Sequence, residues 1–141
     1  EETSLLKKIK KAKTKDELLK LLAVYIKINP ILDKLIFELI TQGYIPVLAH
    51  FERYAYYHGS IEMAKEFRKR GVCIQLNFNS IFGHYGPEVK KQAELLIDSG
   101  EIDFVATDCH RIEHLLILEK NLGKPYLHKL AALPLKNNSL K

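Results

Sequence analysis

His50, Asp108 and His110 are the side chains of this sequence best suited by type and place to hold a metal ion. Imidazole nitrogens and carboxylate oxygens are the donors that divalent ions take from proteins. His50 stands just past the apolar run Tyr44-Ile-Pro-Val-Leu-Ala49, and Asp108 and His110 just past Ile102-Asp-Phe-Val-Ala106. Short apolar runs of this kind read as buried parallel strands, and α/β folds carry their chemistry beyond the carboxyl ends of such strands. In an extended segment residues i and i+2 point to the same side, so Asp108 and His110 are expected to converge on one ion or one water. Arg53, close behind His50, offers a planar fork that suits a phosphate, or else a surface salt bridge with Glu52. A third strand end, Gln75 through Gly86, carries amides, a hydroxyl, His84 and Tyr85 between turns; such a loop either floors a pocket or merely turns the chain. His114, four residues after His110, shares a helix face with it if a helix begins there.

The elements that must position these residues follow from periodicity. Thr14 and Glu17 have capping-box spacing and open a helix that feeds the apolar run Ala23 to Ile28. Helical periodicity resumes at Ile31 and stops at Gly43, a good residue just past a helix end. Then come a strand over 44–49, a helix over about 60–70 closing on Gly71, a strand over 72–76, a polar loop, a helix over about 87–99 closing on Gly100, and a strand over 102–106. Strand and helix alternate, which predicts βαβ units with a parallel sheet or part of a barrel.

Composition narrows the class. With 141 residues the chain fits one domain and falls short of the roughly 250 residues of a complete (β/α)₈ barrel. Apolar residues make up 47% and charged residues 28%, ordinary for a soluble globular domain. No apolar run approaches the ~20 residues of a membrane span, and the start lacks the pattern of a secretory signal, so a cytoplasmic location is expected. Net charge is +5, with Lys7, Lys8, Lys10, Lys11, Lys13 and Lys15 on a basic amphipathic helix. A solvated face is the expectation there, because no stacking aromatics or groove-reading motif accompany it, and no nucleic-acid partner is expected. Cys73 and Cys109 have no paired spacing and read as free thiols. Cys109 is not a phosphatase nucleophile of the Cys-x5-Arg kind, because Leu115 stands where that loop has its arginine.

Three segments together carry a resemblance: Tyr44 to Tyr54 with His-Phe-Glu-Arg-Tyr at its end, Gln75-Leu-Asn77 through Gly83-His-Tyr-Gly86 with Lys90-Lys91, and Asp103 to His110. In order and spacing they resemble the C-terminal half of bacterial capsular-polysaccharide tyrosine phosphatases of the PHP (polymerase and histidinol phosphatase) superfamily, over about residues 31–122. The resemblance implies an α/β fold, a distorted (β/α)₇ barrel of which this chain, read as one incomplete domain over 1–141, holds the C-terminal βα units. It implies a divalent metal cluster, manganese foremost, with iron, zinc or magnesium as alternatives. Hydroxide activated there attacks phosphotyrosine directly, with no covalent intermediate. By position His50, Asp108 and His110 match metal ligands, Arg53 and Asp108 match catalytic residues, and Arg53, His84 and Arg111 fall where substrate phosphate is held. The implied substrate is the tyrosine-rich tail of a cognate bacterial tyrosine kinase; the oligomeric state is left open.

The sequence also departs from that family. It has no His-x-His motif, the strand Tyr25 to Asn29 ends in Asn29 where the family has a metal-bridging glutamate, and Phe51 replaces a proline after the histidine. The arginine expected after the Asp-x-His pair is absent from its usual place, with Arg111 or His114 nearest. Three explanations fit, a truncated chain, a degenerate homologue or a gene fragment, and the compact passage from Leu18–Leu22 into Tyr25–Pro30 favours missing residues or a remodelled fragment. The alternative function is therefore a non-catalytic module that captures a phosphotyrosine or a kinase tail, and other PHP chemistries such as histidinol-phosphate hydrolysis rank below both.

Overall fold

The fold was obtained as a computed structural model, which describes residues 8, 11–17 and 30–140. The expected run Ala23 to Ile28, the strand Tyr25 to Asn29 and most of the basic helix lie outside the described residues. The cap half of the predicted box is present, Glu17 N–H donating to Thr14 Oγ1 at 3.1 Å, while the Glu17 carboxylate reaches back one residue further and accepts from Lys13 N–H at 3.0 Å.

Among the described residues three parallel strands form one sheet in the order β1 (Val47–Leu48), β2 (Cys73–Asn77), β3 (Phe104–Ala106). Val47 pairs with Cys73 and Leu48 with Ile74, while Gln75, Leu76 and Asn77 pair with Phe104, Val105 and Ala106. Helix α1 (Pro30–Thr41) precedes β1, α2 (Glu62–Lys69) connects β1 to β2, and α3 (Phe78–Ile81) with α4 (Pro87–Ser99) connects β2 to β3. Helices α5 (Ile112–Lys120) and α6 (Pro125–Ala131) follow β3, and a 3₁₀ turn Lys136–Ser139 ends the described chain. The alternation is the one predicted, and its parallel hand follows because each strand return is made by a helix rather than a tight turn.

Local chemistry explains the joints. Helix α2 hands over to β2 through Gly71, whose N–H donates to Arg68 O at 3.0 Å while Val72 N–H donates to Phe67 O at 3.0 Å. Gly71 and Gly100 take positive φ of 89° and 71° there, a backbone that glycine adopts without a Cβ penalty. Asp103, just before β3, ties the amino ends of the sheet together. Its Oδ2 accepts from Ile74 N–H at 2.9 Å and from Arg68 Nε at 3.1 Å, and Arg68 also donates to Glu101 at 2.7 Å.

The core gathers Phe67 of α2, Ile74 and Leu76 of β2, Ala93 and Leu96 of α4, Leu130 of α6 and Phe51 from the turn after β1. All five residues of β2 are buried, as expected of a central parallel strand. Strand β1 departs from expectation. Ordered pairing is confined to Val47 and Leu48, and Tyr44, Ile45 and Val47 are 62%, 70% and 48% exposed, so the predicted buried strand over 44–49 is a short edge strand. Pro46 has no N–H to give to a ladder, which fits an edge position. At the other edge, β3 is closed by a side chain: Asn137 Oδ1 accepts from Val105 N–H at 2.9 Å and Asn137 Nδ2 donates to Val105 O at 2.8 Å. The predicted polar loop after β2 is instead the one-turn helix α3, started by Asn77 Oδ1 accepting from Asn79 N–H at 3.2 Å.

Candidate active site

Parallel strands bring their carboxyl ends to one edge, and the residues singled out above fall there. His50 follows β1, Asn77 ends β2, and Asp108 follows β3. His50 and Asp108 have φ of 39° and 48°, and they are the non-glycine residues with positive φ among the described residues. Such backbone is uncommon for side chains with a Cβ and persists only where the surroundings enforce it, which concentrates it at functional sites. For His50 the enforcing contact is Gln75 Oε1, which accepts the His50 N–H at 2.9 Å. The His50 Nδ1 atom is buried without a hydrogen-bond partner.

Arg53 sits at the end of the 3₁₀ turn Phe51–Arg53 that follows His50. Its guanidinium lies 4.4 Å from the centre of the Tyr85 ring and 3.7 Å from Asp108 Oδ2, with about a third of each charged side chain exposed. A planar cation over an aromatic face, steadied by one carboxylate at its side, is a half-wet site for an anion. Glu52 is not Arg53's surface partner, as the salt-bridge reading had it. It is fully buried: Oε1 accepts from Ser80 Oγ at 2.6 Å and from Asn77 N–H at 3.1 Å, and Oε2 has no hydrogen-bond partner. Burial pushes the Glu52 carboxyl above its ordinary range, against the opposing pull of its Ser80 and backbone hydrogen bonds.

The Asp108-x-His110 pair is arranged differently from the extended segment expected. Positive φ at Asp108 turns the chain, and His110 Nδ1 lies 2.8 Å from the Asp108 carbonyl oxygen and 3.6 Å from Asp108 Oδ1. Helix α5 begins at Ile112, past His110, so His114 meets His110 as a cap acceptor: His110 N–H donates to His114 Nδ1 at 3.3 Å. His84 packs edge-on to Tyr85 at 4.7 Å and to His114 at 5.2 Å. Arg53, His84, Asp108 and His110 thus share one rim with Tyr85 and His114, whereas Arg111 is an exposed residue at the start of α5. Among the described residues no group of three His, Cys, Asp or Glu side chains closes around a point that could hold a metal ion. The donor types nevertheless suit a divalent ion in part: an unpartnered imidazole nitrogen at His50 and a carboxylate at Asp108.

Sequence reasoning noted the amides of the Gln75–Gly86 strand end as pocket floor or turn but gave Gln75 and Asn77 no role of their own. Both lie on the same side of β2, two residues apart, and both are buried. Polar side chains alternating with Ile74 and Leu76 in a wholly buried strand were the signal, since buried amides must be spent on partners.

A family model described as "Capsular polysaccharide synthesis, CpsB/CapC" matches residues 7–131. The putative tyrosine-protein phosphatase CapC of Staphylococcus aureus is 32% identical over 90 residues, 64% of this chain and 35% of the relative. The tyrosine-protein phosphatase YwqE of Bacillus subtilis (strain 168) is 31% identical over 119 residues, 77% of this chain and 47% of the relative. The tyrosine-protein phosphatase CpsB of Streptococcus agalactiae is 32% identical over 76 residues, 50% of this chain and 31% of the relative. The chain therefore spans less than half the length of these curated relatives, and no solved structure matches it. With that match running across nearly all of its length, the chain belongs to the CpsB/CapC family of capsular polysaccharide synthesis.

Proposed function

We propose that the protein acts as a metal-dependent phosphotyrosine phosphatase in capsule or exopolysaccharide synthesis, in the cytoplasm, on the phosphorylated tyrosine tail of a bacterial tyrosine kinase. The observation that carries the reading is the meeting of Arg53, Tyr85 and Asp108 at the carboxyl edge of the sheet, beside two strained strand-end residues. The relatives' names point the same way. Arg53 would grip the phosphoryl oxygens as a fork and neutralise charge that grows as the bond to the tyrosine oxygen breaks. His84, and Arg111 from the rim, would hold the substrate's outer oxygens. A divalent ion, manganese foremost with iron, zinc or magnesium as alternatives, would be held by His50, Asp108 and His110 and would supply an activated water. The three strands are read as successive strands of a distorted (β/α)₇ barrel of the PHP type.

A second reading is favoured by one observation: the three candidate ligands do not close around a point among the described residues, while the Arg53–Tyr85 pair is fully assembled. On that reading the site binds phosphotyrosine without hydrolysing it.

One assay separates the two. Phosphate release from a phosphotyrosine peptide is measured with and without added manganese, for the wild-type chain, His50→Ala and Asp108→Ala, with peptide affinity measured alongside. Metal-dependent turnover that falls at least about a hundredfold in both variants is expected of the enzyme. Affinity without turnover identifies the binding module, and neither activity nor affinity overturns both readings.

A further inference from the structure

Asn77 lies where the three strand ends meet, fully buried. Its backbone N–H donates to Glu52 Oε1 at 3.1 Å, and Glu52 is itself held by Ser80. Its side-chain oxygen is committed to Asn79 N–H at 3.2 Å, so the amide's NH₂ group must face the other way. There it has two acceptors, Asp108 Oδ2 and the Tyr85 hydroxyl, each at 3.5 Å. The two amide hydrogens match the two acceptors. Both distances lie beyond the usual N–H···O range, as contacts in unliganded sites often do before a complex tightens them.

We infer that Asn77 is a positioning residue: its buried side-chain amide, on a backbone held by Glu52, sets the Asp108 carboxylate and the Tyr85 ring, and through that ring the Arg53 guanidinium that receives a phosphoryl group. The geometry spans the three loops, since Glu52 follows β1, Asn77 ends β2 and Asp108 follows β3. The role in phosphoryl binding rests on the phosphatase reading, whereas the positioning itself does not. Burial of the clamp matters, because a carboxyl shut away from water with Ser80 and a backbone N–H as partners has little freedom to reorient.

A purely structural role for Asn77 would be to start α3, and that role survives substitution by aspartate or serine, which cap helices about as well as asparagine. Asn77→Asp keeps the cap acceptor and the backbone N–H but removes both donated hydrogens and sets a second carboxylate against Asp108. Asn77→Ser keeps a cap acceptor and cannot reach the rim. Each is compared with wild type by thermal midpoint, by the NMR resonances of Arg53 Nε–Hε and the Tyr85 ring, and by affinity for O-phosphotyrosine. Expected are a lowered midpoint for Asn77→Asp, whose new carboxyl is buried beside Asp108, a smaller drop for Asn77→Ser, displaced Arg53 and Tyr85 resonances in both variants under conditions where they are folded, and about tenfold or greater loss of affinity. Tyr85→Phe, which alters a half-buried ring and spares the core, is expected to displace the Arg53 resonance as well and covers the case in which an Asn77 variant does not fold. Native resonances and affinity in all folded variants would reduce Asn77 to a helix cap and overturn the inference. If wild type shows no affinity for O-phosphotyrosine and the resonances still move, the functional reading fails and the positioning role stands.

Discussion

A carboxyl group taken wholly out of water prefers to keep its proton, and Glu52 is in that position. Its neighbours are a hydroxyl and an amide N–H that donate to one oxygen, and the adjacent Arg53 has its head turned to Tyr85 and Asp108. Because the folded value lies above the ordinary 4.5, the folded state binds the proton more tightly than the unfolded chain. The Glu52 contribution to stability is therefore full below pH 4.5 and declines as pH rises from there through the raised folded value. Glu52→Gln, which keeps the acceptor for Ser80 and Asn77, is expected to flatten that part of the pH dependence; urea midpoints of both proteins across about pH 4 to 8 would show a difference that widens with pH. An unchanged pH dependence would place the ionised form in the fold. At this scale the sequence was legible where a residue's type implies its chemistry: His50, Arg53 and Asp108 do lie at the strand ends. It was illegible for Glu52 and Asn77, whose importance comes from burial by segments distant in sequence, and it misread the Asp108 backbone because an extended conformation is only the default for a polar stretch after a strand.

Helices and strands were read from periodicity with fair accuracy, and the errors have local causes. Helix α4 was placed at its observed residues because Gly86-Pro87 and Gly100 punctuate it at both ends. Helix α3 was missed because its start signal, an Asn-x-Asn cap, opens only a single turn. The strand before His50 was overestimated because an apolar run says nothing of whether a neighbour covers it. Elements also divide the labour between the sheet's two ends. Asp103, at the amino end, satisfies the buried Ile74 N–H and the Arg68 guanidinium, far from the rim that carries Arg53 and Asp108. Asp103→Ala orphans that N–H and strips Arg68 of its bidentate partner, leaving it Glu101, so a loss of about 3 kcal/mol is expected by urea denaturation. Affinity for O-phosphotyrosine, measured under conditions where the variant is folded, should stay native. A weakened affinity would mean that the two ends are coupled.

Over the whole molecule, apolar surface is spread unevenly. Leu35 and Phe37 of α1, Tyr44, Ile45 and Val47 before and within β1, and Ile112, Leu115 and Leu116 of α5 are exposed. No helix among the described residues is long and apolar enough to cross a membrane. This scale was the least legible in the sequence, since which apolar residues remain uncovered depends on what packs next to them. An uncovered strand edge tends to recruit another strand; among the described residues the sheet has one such edge, at β1, because Asn137 occupies both hydrogen-bonding groups of Val105 on the β3 side. A charge on the free edge should suppress association: Val47→Lys is expected to shift sedimentation velocity profiles toward the monomer relative to wild type at high concentration. The side-chain plug at β3 has a consequence for how far such association can run. Among the described residues, two copies joined through β1 would leave no open edge for a third, so edge pairing would end at a closed, two-fold pair, whereas a sheet with both margins free could extend into a fibre.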